Sequence, residues 1–156
     1  FCYLCVKPMS DLIATVEYDK IATLSRVLVD MPKLNIELTH HFAKGVYGRE
    51  GFIPKGTCFV GRVHKQSQIN IISKGDVSVL TERGLIRMTA PCTLVSPPGA
   101  QRAAYAHEDT VWITILGTEK TDPDEIYETL TEATFEDYQL ACQEILKLTE
   151  KEPCIS

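Results

Sequence analysis

The sequence predicts a single all-β barrel or sandwich with an α-helical flank at each end. Two observations predict it. Between residues 36 and 118 the chain breaks into nine short segments rich in β-branched and aromatic residues, separated by Gly, Pro and charged turns. On either side of that stretch, apolar residues recur at helical spacing instead. A chain of 156 residues has room for one core, and no linker or internal repeat divides it.

At the start, residues 1–8 read FCYLCVKP and precede Met9-Ser10, which reads as a start of translation. The octet is a vector remnant, a processed leader or a genuine extension, and it is too short for a complete secretory signal. It is set aside from the fold. From about residue 19 to 31, Ile21, Leu24, Leu28 and Met31 share helical spacing, and Pro32 follows where a helix would stop. Residues 1–35 thus form an N-terminal extension and helix.

The barrel is expected over residues 36–118. Its strands are IELTHHF, VYGREGFI, CFVGRVH, INIIS, VSVLT, LIRM, CTLVS, RAAYA and VWITIL. Turns fall at Pro54-Lys55-Gly56, Lys74-Gly75-Asp76 and Glu82-Arg83-Gly84. Residues 119–156 return to helix. Asp122-Pro123-Asp124-Glu125 supplies an N-cap, a proline at the first helical position and acidic residues in the first turn. A second helix begins near Thr134, with Phe135, Tyr138, Cys142, Ile145 and Leu148 along one face.

Composition narrows the class. The net charge is −5, which argues against a non-specific binder of nucleic acid or anionic membranes, and no apolar run is long enough to span a bilayer. Six cysteines do not make a disulfide framework in a chain that can bury its own core, and Cys58, Cys92 and Cys142 are expected as small buried hydrophobes. Cys2-x-x-Cys5 could be half of a zinc site but lacks a second pair. A reduced cytoplasmic protein is the expectation.

Two stretches inside the barrel have a recognisable spacing. The first runs Gly56, then Arg62-Val63-His64, then Gln68, then Gly75; the second is Pro97-Pro98-Gly99-Ala100-Gln101-Arg102, with Ala106 four residues on. These resemble the two motifs of the cupin family, in which a glycine, His-x-His, Glu and a second glycine are followed by Pro-x-Gly-x-x-His and an Asn. The resemblance implies a double-stranded β-helix barrel, and pairing as a homodimer through sheet edges and exchanged terminal strands. It also implies that metal-dependent members hold iron, manganese, nickel or zinc with the three His and the Glu. Here those positions are Arg62, His64, Gln68 and Arg102. Guanidinium groups repel a divalent ion, and glutamine lacks the charge a metal prefers from a carboxylate. No cofactor is therefore expected; His64 alone survives as a candidate ligand for a divalent metal.

Alternate strand residues share a face, so Arg62, His64 and Gln68 should point together into the barrel, with the Pro97-Pro98-Gly99 loop delivering Arg102. Two arginines in one cavity suit an anionic small molecule or nucleotide-like ligand. The competing reading pairs each arginine with a structural carboxylate. A second function class is a metal-dependent oxygenase, isomerase or lyase using His64 with His41 or His107.

Secondary candidates are His41, Tyr105, His107 and Trp112. His40 and His41 are adjacent on a strand, so only one can face inward. His107-Glu108-Asp109 reads as a general base with an orienting carboxylate or as a polar hairpin. Trp112, on a face with Thr110 and Thr114, lines the pocket or belongs to the core. No Gly-x-Ser-x-Gly or Gly-rich phosphate loop is present. VYGREGFIPKGTCFVGRVHK, LVSPPGAQR and YAHEDTVWITI also resemble small cupin-domain proteins of bacteriophages and prophages. That texture implies a bacterial or phage-infected cytoplasm, or an accessory virion protein as a third class.

Overall fold

The computed structural model describes the backbone over residues 9–81 and 83–149, and side-chain surroundings over 18–81 and 83–145. Helix α1 (Met9–Val29) leads into strands β1 (Glu37–Ala43), β2 (Val46–Ile53), β3 (Cys58–Val60), β4 (Val63–His64), β5 (Gln68–Lys74), β6 (Asp76–Thr81), β7 (Gly84–Thr89), β8 (Cys92–Ser96), β9 (Ala103–Ala106) and β10 (Thr110–Gly117). Helix α2 (Pro123–Leu130), strand β11 (Thr131–Glu132) and helix α3 (Phe135–Thr149) complete the described chain. The octet 1–8, with Cys2 and Cys5, lies outside the described residues, as does Cys154.

Two antiparallel sheets face each other, one ordered β1-β2-β10-β5-β8 and the other β3-β9-β6-β7, with β11 pairing β4 at one end. This is an all-β double-stranded β-helix with flanking helices. Its strands are built from β-branched and aromatic residues, and burial alternates along them. In β10, Thr110, Trp112, Thr114 and Leu116 are buried while the residues between them are half-buried. Between the sheets, Ile53, Ile72, Val77, Val79, Met88, Ala104, Ala106 and Trp112 make the main core. A smaller cluster of Tyr47, Leu116 and Ile126, backed by Leu130, seats α2 against the end of the five-stranded sheet. Asp122 caps α2 as the sequence predicts, accepting hydrogen bonds from the Asp124 and Glu125 amides.

Several boundaries differ from expectation. Helix α1 begins at Met9, earlier than residue 19, and Met31 lies just past its end. CFVGRVH is two strands, because Gly61 and Arg62 turn the chain from β3 into β4. The two-residue β11 had no signal, being shorter than any alternation that could reveal it. His107-Glu108-Asp109 is no hairpin: β9 and β10 belong to different sheets, so this turn passes from one sheet to the other. Cys58, Cys92 and Cys142 are free and only half-buried.

Two glycines hold turns that a side chain would break. Gly75 has φ +99°, and a Cβ there would stand 2.7 Å from the Asp109 carbonyl oxygen. Gly99 has φ +82°, with the Tyr138 ring 2.8 Å from where its Cβ would be. Tyr18 donates a hydrogen bond to the Gly99 carbonyl at 2.7 Å, and its ring stacks on Phe135 at 3.7 Å. Helices α1 and α3 therefore clamp the loop that leads to Arg102. No described helix is long and apolar enough to cross a membrane.

Candidate functional site

A cavity of about 480 Å³ lies between the sheets, lined by β1, β2 and β10 on one side and by the β3–β4 segment on the other, with α2 at one end. Strand pairing sets out its inner wall in rows. His40, Arg49, Thr114 and Asn70 stand side by side across β1, β2, β10 and β5. Two residues along, the next row is Leu38, Gly51, Trp112 and Ile72. Alternate residues on a strand are ~7 Å apart, so a polar row and an apolar row adjoin within one small cavity.

Arg62, His64, Gln68 and Arg102 all line this cavity, joined by Arg49. The Arg62 Nε donates to Thr131 Oγ1 at 2.7 Å, and its guanidinium carbon sits 4.5 Å from the centre of the Tyr127 ring. No carboxylate among the described residues pairs with Arg62 or Arg49. Arg102 is buried; its Nη1 donates to the Gln101 carbonyl at 3.2 Å and its Nη2 to Ser96 Oγ at 3.4 Å.

His64 sits among these cations. Burial, and then the Arg49 and Arg102 charges, push its pKa down to about 4, so the ring is neutral near neutral pH. Its buried Nδ1 has no hydrogen-bond partner among the described residues, and neither does the buried Oε1 of Gln68. Both belong to groups that can present an N–H, the imidazole by tautomer and the amide by rotation of its end. By contrast the Asn70 amide is fully engaged: its Oδ1 accepts from Trp112 Nε1 and Thr114 Oγ1, each at 3.0 Å, and its Nδ2 donates to Ser96 Oγ at 3.1 Å. Asp124 is the one carboxylate among the lining residues, against three guanidiniums.

The secondary candidates separate. Trp112 both lines the cavity and packs in the core, edge-on to Phe59 at 5.9 Å. His41 faces away, bonded to Glu50 at 3.0 Å, and His40 is the histidine turned inward, sharing a 2.7 Å hydrogen bond with the Tyr47 hydroxyl. Tyr105 and His107 do not line the cavity; they pack edge to face, and His107 bonds Ser78 at 2.7 Å. Asp109 accepts from the Lys55 amide at 2.9 Å, a turn contact. Arg49, Asn70, Tyr127 and Thr131 are polar cavity residues that sequence reasoning missed, and of the adjacent pair His40 and His41 it is His40 that faces in.

The donor set does not fit a metal. Of the four positions that correspond to cupin ligands, two carry guanidiniums, one a neutral amide and one a histidine flanked by positive charge. No group of three or more His, Cys, Asp or Glu that could hold a metal ion occurs among the described residues. A metal route through His64 with His41 or His107 would need ligands that this fold points elsewhere.

No protein-family model matches the sequence, and no curated protein matches it either. Solved structures do resemble the fold. KdgF from a Halomonas species is 17% identical with a TM-score of 0.50, covering 62% of this chain and 90% of that one. A cupin superfamily protein from Desulfitobacterium hafniense is 11% identical with a TM-score of 0.47, covering 58% and 84%. The Cnp3 cupin domain of Schizosaccharomyces pombe is 16% identical with a TM-score of 0.45, covering 61% and 74%. At such identities the likeness concerns the fold alone.

Proposed function

We propose that this cupin-fold protein binds an anionic small molecule inside its barrel, without the metal chemistry associated with the fold. The observation that carries the reading is the pair Arg49 and Arg62, which line one cavity with no carboxylate partner among the described residues. Guanidinium groups offer paired, charge-assisted hydrogen bonds to carboxylate or phosphate. Arg102, the His64 ring and the Gln68 amide supply further donors around the same space. A bound anion would offset the charge of the half-buried Arg49 and Arg62 guanidiniums.

The test is a thermal-shift and titration survey of small organic acids, phosphate and nucleotides against the wild type and Arg62→Gln. Binding of at least one anion, weakened in the variant, is the expected result. A wild-type protein indifferent to every anion would refute the reading. The protein's setting is part of the same proposal: the phage-like sequence texture supports a bacterial or phage-infected cytoplasm. Detection in purified particles would instead favour the virion role.

The proposal includes a homodimer. The outer face of the five-stranded sheet exposes Val46, Phe52, Ile69 and Val95, and β1 at its edge is exposed along its whole length. A second copy laid on that face would cover both.

A further inference from the structure

We infer that the anion has an apolar body, and that the preferred ligand is a carboxylate carrying an aromatic ring or a branched hydrocarbon rather than a nucleotide. This rests on the anion reading of the same cavity. The guanidiniums of Arg49 and Arg62 mark where the charged group sits. One strand step away, ~7 Å along β2, the wall becomes Leu38, Gly51 and Trp112, continued by Ile36, Ile53 and Phe59. None of these six bears a charge, and the only side-chain polar atom among them, Trp112 Nε1, is spent on Asn70. A sugar placed there would lose its water contacts and find no partner for its hydroxyls. A hydrocarbon group would lose nothing and gain burial.

Gly51 lies on the floor of that space, beneath Leu38 and Ile36. It lies in β2 directly between Leu38 and Trp112, and the missing Cβ would stand 3.4 Å from Leu38 Cδ2 and 3.6 Å from Ile36 Cγ2. Its backbone does not require glycine, since φ there is not positive. A larger side chain at Gly51 would push against Leu38 and Ile36 and narrow this part of the cavity. Leu38 beside it is 48% exposed and lines the cavity.

The experiment is an NMR titration of the full chain, which reads millimolar constants, with acetate, inorganic phosphate, phenylacetate and adenosine monophosphate. Phenylacetate should bind tighter than acetate by about 30-fold, the scale set by burying one ring. Gly51→Val should remove most of that advantage while leaving the acetate and phosphate constants within about twofold, because their site is the Arg49 and Arg62 guanidiniums. Leu38→Ser, at an exposed position that does not threaten folding, should reduce the advantage as well. Equal binding of acetate and phenylacetate, or tighter binding of the nucleotide, would overturn the inference and leave the anion reading standing. Failure of all four to bind would remove both.

Discussion

Arg49 and Arg62 face one cavity with different support. Arg62 is held by Thr131 and lies over the Tyr127 ring, whereas the Arg49 guanidinium has no hydrogen bond or ion pair among the described residues. A purely structural Arg49 should be missed when removed; a ligand-binding one should not. Arg49→Gln is expected to leave folding stability unchanged or slightly raised, because it removes a cation that no carboxylate among the described residues pairs, and to weaken anion binding about 10- to 100-fold. Urea denaturation beside titration checks both halves. His64 gives a pH signature. Its folded pKa is about 4 against an ordinary 6.5, so above pH 6.5 neither state binds the proton and stability is unaffected. Between pH 6.5 and 4 only the unfolded state is protonated, and stability falls by roughly 3 kcal/mol in all. The slope difference between wild type and His64→Gln over that window isolates the effect from the carboxylates.

Elements explain what the sequence could disclose. The motif spacing drew Arg62, His64, Gln68 and Arg102 into view, because turns and strand alternation are local properties. Arg49 stayed hidden for a physical reason: on VYGREGFI the sets Tyr47, Arg49, Gly51, Ile53 and Val46, Gly48, Glu50, Phe52 are equally mixed, so alternation does not choose the inward face. The same ambiguity covers His40 and His41, and tertiary pairing with β10 decides both. The short β11 and the α2 cap over the cavity depend on contacts far apart in sequence. Two interactions between elements carry predictions. Gly99→Ala forces a Cβ into the Tyr138 ring at positive φ and should cost about 1–3 kcal/mol, read by chemical denaturation, with Arg102 displaced through its loop. Asn70→Ala strands the Trp112 indole N–H and the Thr114 hydroxyl and should cost about 2–4 kcal/mol.

For the molecule as a whole, the barrel encloses a cavity in which three guanidiniums adjoin an apolar wall, and the outer face of its five-stranded sheet exposes further apolar residues. The proposed homodimer would cover the outer apolar face and the exposed edge β1, so light scattering should give twice the chain mass. Val95→Lys, at a residue 69% exposed, should shift that equilibrium toward monomer without unfolding the chain. A monomer of the wild type at high concentration would contradict it. The inner surface carries the central claim, that an anion sits among Arg49, Arg62, Arg102 and His64. NMR titration of the His64 imidazole, with and without a saturating anion, tests it most directly. A negative charge beside the ring must raise the His64 pKa well above 4, and binding must tighten as pH falls toward that new value. A ligand that binds while the His64 titration curve stays where it was would place the anion elsewhere and contradict the account.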